Sequence, residues 1–156
     1  MRASPVIASD ETSARVCGKT HWQWTFLAAT AVFHIIAPTR GKVVPIEFLA
    51  GARPQVWISD RLAAQCRHAV AQQFCLAHLI RDAQYAIDAG DSIFAPAFKR
   101  FLQRACAIGR RRPKLTDATI KAYAGRLARE LDRLLELAPT EANGRHLQAA
   151  MIVDGR

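Results

Sequence analysis

Up to about Cys75 the apolar positions fall in short runs broken by turn residues, a spacing that predicts strands rather than helices. Val6 to Ser9 is the first such run. After a turn at Cys17-Gly18-Lys19, Thr20 to Ala28 gives a second, with Trp22, Trp24 and Phe26 at period two on one face. Val32 to Ala37 gives a third and ends at Pro38. Three consecutive strands with short connections predict an antiparallel meander. Ile46 to Ala50 fits a short helix before Gly51, and Val56 to Ser59 a fourth strand. Gln72 to Cys75 fits a fifth strand, with Leu62 to Arg67 helical between them. The three tryptophans, Trp22, Trp24 and Trp57, lie within these strands and are expected in the core.

Beyond Cys75 the period becomes helical. Leu76, Leu79, Ile80, Ala83 and Ile87 share one face of a helix that stops at Gly90, with His78, Arg81, Asp82 and Tyr85 opposite. A second helix is expected from near Pro96 to Gly109, burying Phe98, Phe101, Leu102, Ala105 and Ile108. A third runs from Thr116 or Asp117 to Leu137 on a stripe of Ile120, Ala124, Leu127, Leu131 and Leu134, with a Glu130–Arg133 surface pair. After Pro139 the chain loosens and ends in a short helical tail.

A chain of 156 residues, half of them hydrophobic, is long enough for a real core and too apolar for disorder. No run approaches the roughly 20 apolar residues that span a bilayer, and no signal pattern opens the chain. A cytoplasmic protein without a membrane partner is the expectation. Cys17, Cys66, Cys75 and Cys106 show no paired CxxC spacing, which suits reduced thiols, mostly buried. Cys75 and His78 have the spacing of half a zinc site, but only Cys66 and His68 could complete it. A buried Cys75 and a His78 hydrogen-bonded near Asp82 is the preferred reading.

The net charge of +9 is concentrated: Lys99, Arg100, Arg104, Arg110, Arg111, Arg112 and Lys114 supply seven positive charges with no acid among them. Such clustering is the footprint of a polyanion partner, DNA above all, against the alternative of a solvated helix face and basic loop.

Asp10 and Asp60 each follow a short apolar run that ends in Ser-Asp, which reads as a strand delivering an acid to the carboxyl edge of a sheet. Alone, each would be a turn or cap residue. As a pair on neighbouring strands, about 4–7 Å apart, they would suit hard Mg²⁺ or Mn²⁺. Glu11 would face the other side of the strand from Asp10.

Three antiparallel strands, a helix and a parallel strand ending in an acid is the order of a ribonuclease-H-like α/β fold, a mixed sheet followed here by an all-helical segment. Ser9-Asp10-Glu11-Thr12, Gly18-Lys19-x-His21-Trp22-x-Trp24, Arg40-Gly41-Lys42 and Ile58-Ser59-Asp60 together resemble the central domain of insertion-sequence-66 family transposases. Gln73-Phe74-Cys75-Leu76-Ala77-His78-Leu79-x-Arg81-Asp82 resembles that family's Cys-x-x-His segment. The resemblance implies an Asp-Asp-Glu DNA transposase site using two Mg²⁺ or Mn²⁺ ions, with Asp10 and Asp60 as the first two acids and metal ligands. It also implies a homo-oligomer in the intact family.

The expected organisation is a partial catalytic core over residues 1–75 and a helical, insertion-like segment over 76–156. The family's N-terminal DNA-recognition region and the Asn-Asn-x-x-Glu-Arg stretch with the third acid are expected to be absent. Glu130, Glu136 and Glu141 sit in no matching context, and Arg61 follows Asp60 where a small residue is usual. His78 and Arg81 share a face that could border the catalytic cleft. The expectation is therefore a transposase catalytic-domain fragment, inactive alone. The alternative is a non-catalytic nucleic-acid-binding or regulatory remnant. An unrelated metal-dependent phosphohydrolase is weaker, because Asp-Glu-Thr lacks a second nearby Asp.

Overall fold

The computed structural model describes residues 1–154, which form two compact units, Met1–Cys75 and Leu76 onward. The first unit is built on strands β1 (Val6–Val16), β2 (Lys19–Ala28), β3 (Ala31–Ala37), β4 (Val56–Ser59) and β5 (Ala71–Phe74), with one helix, α1 (Val43–Leu49). The strand order is β3-β2-β1-β4-β5. β1 pairs antiparallel with β2, and β2 with β3, whereas β1 pairs parallel with β4, and β4 with β5. This mixed sheet is the ribonuclease-H-like arrangement expected from the sequence.

β1 is longer than the apolar pattern suggests. It continues past Ser9 to Val16, because β2 offers backbone partners along its whole length, from Ala8↔Leu27 to Val16↔Lys19. Cys17 and Gly18 make the two-residue turn between them, and both have positive φ (48° and 75°). That is the type I′ requirement, whose twist matches the flanking strands.

Alternation along the strands sorts their side chains. Ile7, Trp24, Phe26 and Trp57 are fully buried on the inner face, against Val44, Phe48 and Leu49 of α1. Phe26 stacks on Phe48 with ring centroids 3.8 Å apart and meets Trp57 edge-on at 6.0 Å. Trp22 is only partly buried at the margin of this cluster. On the outer face Val6, Leu27, Val32 and Ile36 remain exposed. The expected helix over Leu62–Arg67 is reduced to one 3-10 turn, Ala63–Gln65, after which Arg67 takes a left-handed conformation (φ 68°).

The second unit contains α2 (Leu76–Asp88), α3 (Phe94–Arg110), α4 (Asp117–Leu135) and α5 (Ala142–Asp154). Leu79, Ala83 and Ala86 are the buried stripe of α2, and Phe94, Ala95, Phe98, Phe101 and Leu102 that of α3. α3 starts two residues before Pro96. Asp91 acts as its cap: Oδ1 accepts from the N–H groups of Ile93 (3.0 Å) and Phe94 (3.1 Å). Thr116 caps α4 by accepting from the N–H of Thr119, and Asp117 adds an acid to its first turn. α4 buries no residue fully, and Ala124 of its expected stripe is exposed. Glu130 pairs with Arg104 across α3 and α4 instead of with Arg133, since its helix lies beside α3.

Candidate active site and nucleic-acid interface

Asp10 lies inside β1 and not beyond its end. Its neighbours Ile7, Ser9 and Glu11 turn inward, so Asp10 points with Ala8 to the outer face and is exposed. It stands opposite Thr25 of β2, which stands opposite His34 of β3, so the three share one row across the sheet. Thr25 Oγ1 and His34 Nδ1 are 3.1 Å apart. Further along the same face, Ser4, Pro5, Val6, Ala8, Leu27, Ala28 and Ala29 line an apolar depression of about 360 Å³.

Asp60 follows β4 directly. The parallel ladder between β1 and β4 runs from Val6↔Val56 to Ala8↔Ile58, and two residues further along each strand come Asp10 and Asp60. Asp10 is thus inside β1 and Asp60 is the first residue past the end of the neighbouring parallel strand β4. Asp60 is half-buried, and its Oδ1 accepts from the Leu62 N–H at 3.0 Å, which holds the start of the following loop.

Beneath Asp10 lies a polar network that sequence reasoning missed. The Glu11 side chain is fully buried, and its Oε1 accepts from Arg40 Nη2 at 2.6 Å and Nε at 2.7 Å. Gln65, also fully buried, donates from Nε2 to Glu11 Oε2 and accepts from the Ser9 hydroxyl on Oε1. The Arg40 guanidinium lies over the Trp22 ring at 4.8 Å. Burial pushes the Glu11 carboxyl above the ordinary range, Arg40 opposes this, and the charge of Asp60 adds to the rise. The signal available in the sequence was alternation: a strand that turns Asp10 outward must turn Ser9 and Glu11 inward, where they need partners.

Lys99, Arg100, Arg104 and Arg110 sit on α3, Arg111 follows it, and Arg112 and Lys114 lie in the 3-10 turn before α4. Lys99 donates to Gln84 and Arg104 pairs with Glu130, whereas Arg100, Arg110, Arg111, Arg112 and Lys114 are exposed. His78 and Arg81 lie on α2 of the second unit, Arg81 exposed and His78 half-buried. His78 Nδ1 is buried with no hydrogen-bond partner. Cys75 is half-buried and a free thiol. Among the described residues no group of three or more His, Cys, Asp or Glu is arranged to hold a metal ion, and no helix is long and apolar enough to cross a membrane.

The sheet order β3-β2-β1-β4-β5, with its antiparallel and parallel pairs, is that of a ribonuclease-H-like domain. The model of the Transposase IS66 family matches residues 1–152, and the chain belongs to that family. Solved structures similar to part of it include the HTLV-2 integrase catalytic core domain in complex with magnesium, in a dimeric form. That match has 13% identity and a TM-score of 0.37, covering 53% of this chain and 72% of that one. Another is the simian T-cell lymphotropic virus intasome in complex with the PP2A regulatory subunit B56 gamma, with 12% identity and a TM-score of 0.36 over 53% of this chain and 41% of that one. No curated protein matches the chain.

Proposed function

We propose that residues 1–75 are the part of a DNA transposase catalytic domain that carries its first two acids, Asp10 and Asp60, and that the chain alone does not cut DNA. The observation that carries this reading is the parallel β1–β4 ladder, beyond whose last pair each strand runs two residues on to an aspartate. Their carboxylates are hard oxygen donors, the chemistry Mg²⁺ and Mn²⁺ prefer. When bound at such a site, paired divalent ions activate a nucleophile and stabilise the leaving oxygen at a phosphodiester. The chain's own contribution is to present Asp10 from a long strand and Asp60 from a held loop, on adjacent strands. A Mn²⁺ titration followed by paramagnetic broadening tests it: the Asp10 and Asp60 amides should broaden together, and Asp10→Asn should suppress both. Broadening elsewhere, with those two untouched, overturns the reading.

The second unit supplies the DNA contact in this proposal, through Lys99, Arg100, Arg104, Arg110, Arg111, Arg112 and Lys114. His78 and Arg81 would border the cleft in the intact protein, which would act as a homo-oligomer in the cytoplasm. Binding is expected to be weak and independent of sequence. Counterion release gives a log–log salt slope of about −0.9 per phosphate neutralised on duplex DNA. Arg110, Arg111 and Arg112 are exposed, so their charges are available to phosphates. Replacing all three by Ala is expected to flatten the slope by up to about three, measured by fluorescence anisotropy across a salt series. An unchanged slope would make the cluster a solvated surface. A non-catalytic nucleic-acid-binding or regulatory role is the second reading, favoured by this exposed basic cluster. DNA binding that survives Asp10→Asn and Asp60→Asn, without metal broadening at either position in the parent chain, would select it.

A further inference from the structure

We propose that Gln65 is a positioning residue for Asp10 and Asp60, an internal strut that ties the loop after Asp60 to both chain neighbours of Asp10. The proposal rests on the metal-binding reading of those two aspartates. Ser9 and Glu11 flank Asp10 in an extended strand, so their side chains leave the inner face while Asp10 leaves the outer one. Both inward side chains end on one residue. Ser9 donates to Gln65 Oε1, and Gln65 Nε2 donates to Glu11 Oε2. Holding these two residues fixes the backbone on either side of Asp10.

The other end of the strut is Asp60. Its Oδ1 accepts from Leu62 N at 3.0 Å, and the Leu62 carbonyl accepts from Gln65 N at 2.8 Å. Two hydrogen bonds, Asp60 to Leu62 and Leu62 to Gln65, therefore span this stretch, and through them a displacement of Gln65 is passed to Asp60. Glu11 is itself anchored by Arg40, which lies over Trp22. The strut thus ends on a fixed point.

The chemistry at position 65 calls for an amide. Ser9 presents a donor and needs an acceptor, while the Glu11 carboxylate presents only acceptors and needs a donor. Leucine would take the Gln65 partner from the Ser9 hydroxyl and from Glu11 Oε2, leaving Glu11 bound through Oε1 to Arg40 alone. Glutamate would keep the Ser9 bond but set a second carboxylate against Glu11. Glutamine satisfies both with one side chain, fully buried.

The test is Mn²⁺ affinity, read from the broadening of the Asp10 and Asp60 amides in the 156-residue chain. Outer partners of metal ligands typically change metal affinity by about 10–100-fold, and Gln65→Leu is expected to weaken Mn²⁺ binding within that range. Far-UV circular dichroism should stay unchanged. The exchange Glu11→Gln with Gln65→Glu reverses the donor and acceptor of the central hydrogen bond and should restore affinity to within about threefold. A residue that merely fills space would not be rescued by this exchange, so failure to rescue overturns the proposal. Ser9→Ala, which deletes one hydroxyl, reports on the same strut if Gln65→Leu fails to fold, and should weaken binding several-fold. Asp10→Asn and Asp60→Asn separate the two readings. If they abolish broadening while Gln65→Leu and Ser9→Ala leave affinity unchanged, the strut is wrong and the aspartate site stands. If they leave broadening intact, the aspartate site falls and the strut with it.

Discussion

Gly144→Ala is expected to destabilise the helical unit by about 2–4 kcal/mol, the sum of overpacking and of a disturbed helix cap. Gly144 is buried in the first turn of α5, where an added Cβ would overlap Asp91 Oδ2 and lie 2.7 Å from Asp91 Cγ and 3.1 Å from Pro139 Cβ. A flexible side chain would swing aside; this one is held. Asp91 is 1% exposed, and its Oδ1 accepts from the N–H groups of Ile93 and Phe94 at the start of α3 and from Thr140 Oγ1 at 3.4 Å. Moving the carboxylate away from a methyl group breaks that cap, and keeping it forces α5 outward. Asp91→Ser keeps a capping oxygen while removing the obstructing one, so the Gly144→Ala penalty should largely vanish in that background. Urea unfolding followed at 222 nm measures the cycle. Equal penalties in the two backgrounds would show that Asp91 is not what excludes a side chain at 144.

Much of the sheet was legible because strand periodicity and turn residues agree. The meander, the fourth strand and the change to helices after Cys75 all follow from local pattern. What local pattern missed was set by distant partners. β1 runs on to Val16 through a polar, exposed stretch because β2 pairs with it, and pairing of that kind leaves no apolar trace in the sequence. Leu62 to Arg67 has helix-compatible residues, yet Gln65 is drawn inward to Ser9 and Glu11 and the chain turns after one 3-10 turn. Tertiary hydrogen bonds overrode propensity there. α3 starts early because Asp91, not Pro96, provides its cap, and Asp91 is itself fixed by packing against α5. At the candidate site the two aspartates could be picked out one by one. The inward turn of Glu11 followed from alternation, but its partners Arg40 and Gln65 did not, since that shared environment exists only once β1, β4 and the following loop are assembled.

No cleavage or joining of transposon-end DNA is expected from the purified 156-residue chain in Mg²⁺ or Mn²⁺. Mg²⁺ demands near-octahedral oxygen geometry and gives up its waters reluctantly, so two carboxylates make a weak site. Asp10 and Asp60 would also repel one another without a cation between them. Several of the chain's other acids are already committed. Glu11 is held on the inner face by Arg40 and Gln65, across the strand from Asp10. In the helical unit Glu130 pairs with Arg104, and Glu141 Oε2 accepts from the Asn143 N–H at 2.6 Å, near the start of α5. Joining the chain to a segment that brings a third carboxylate to Asp10 and Asp60 should raise metal affinity at both, and Asp10→Asn should cancel that gain. Gel assays with labelled transposon ends read the chemistry directly. Cleavage by the 156-residue chain, abolished by Asp10→Asn, would mean that one of its own acids completes the site. Glu130, Glu136 and Glu141 would then be replaced in turn. Glu11→Gln would follow, with Arg40 left in place so that lost packing is not mistaken for a lost ligand.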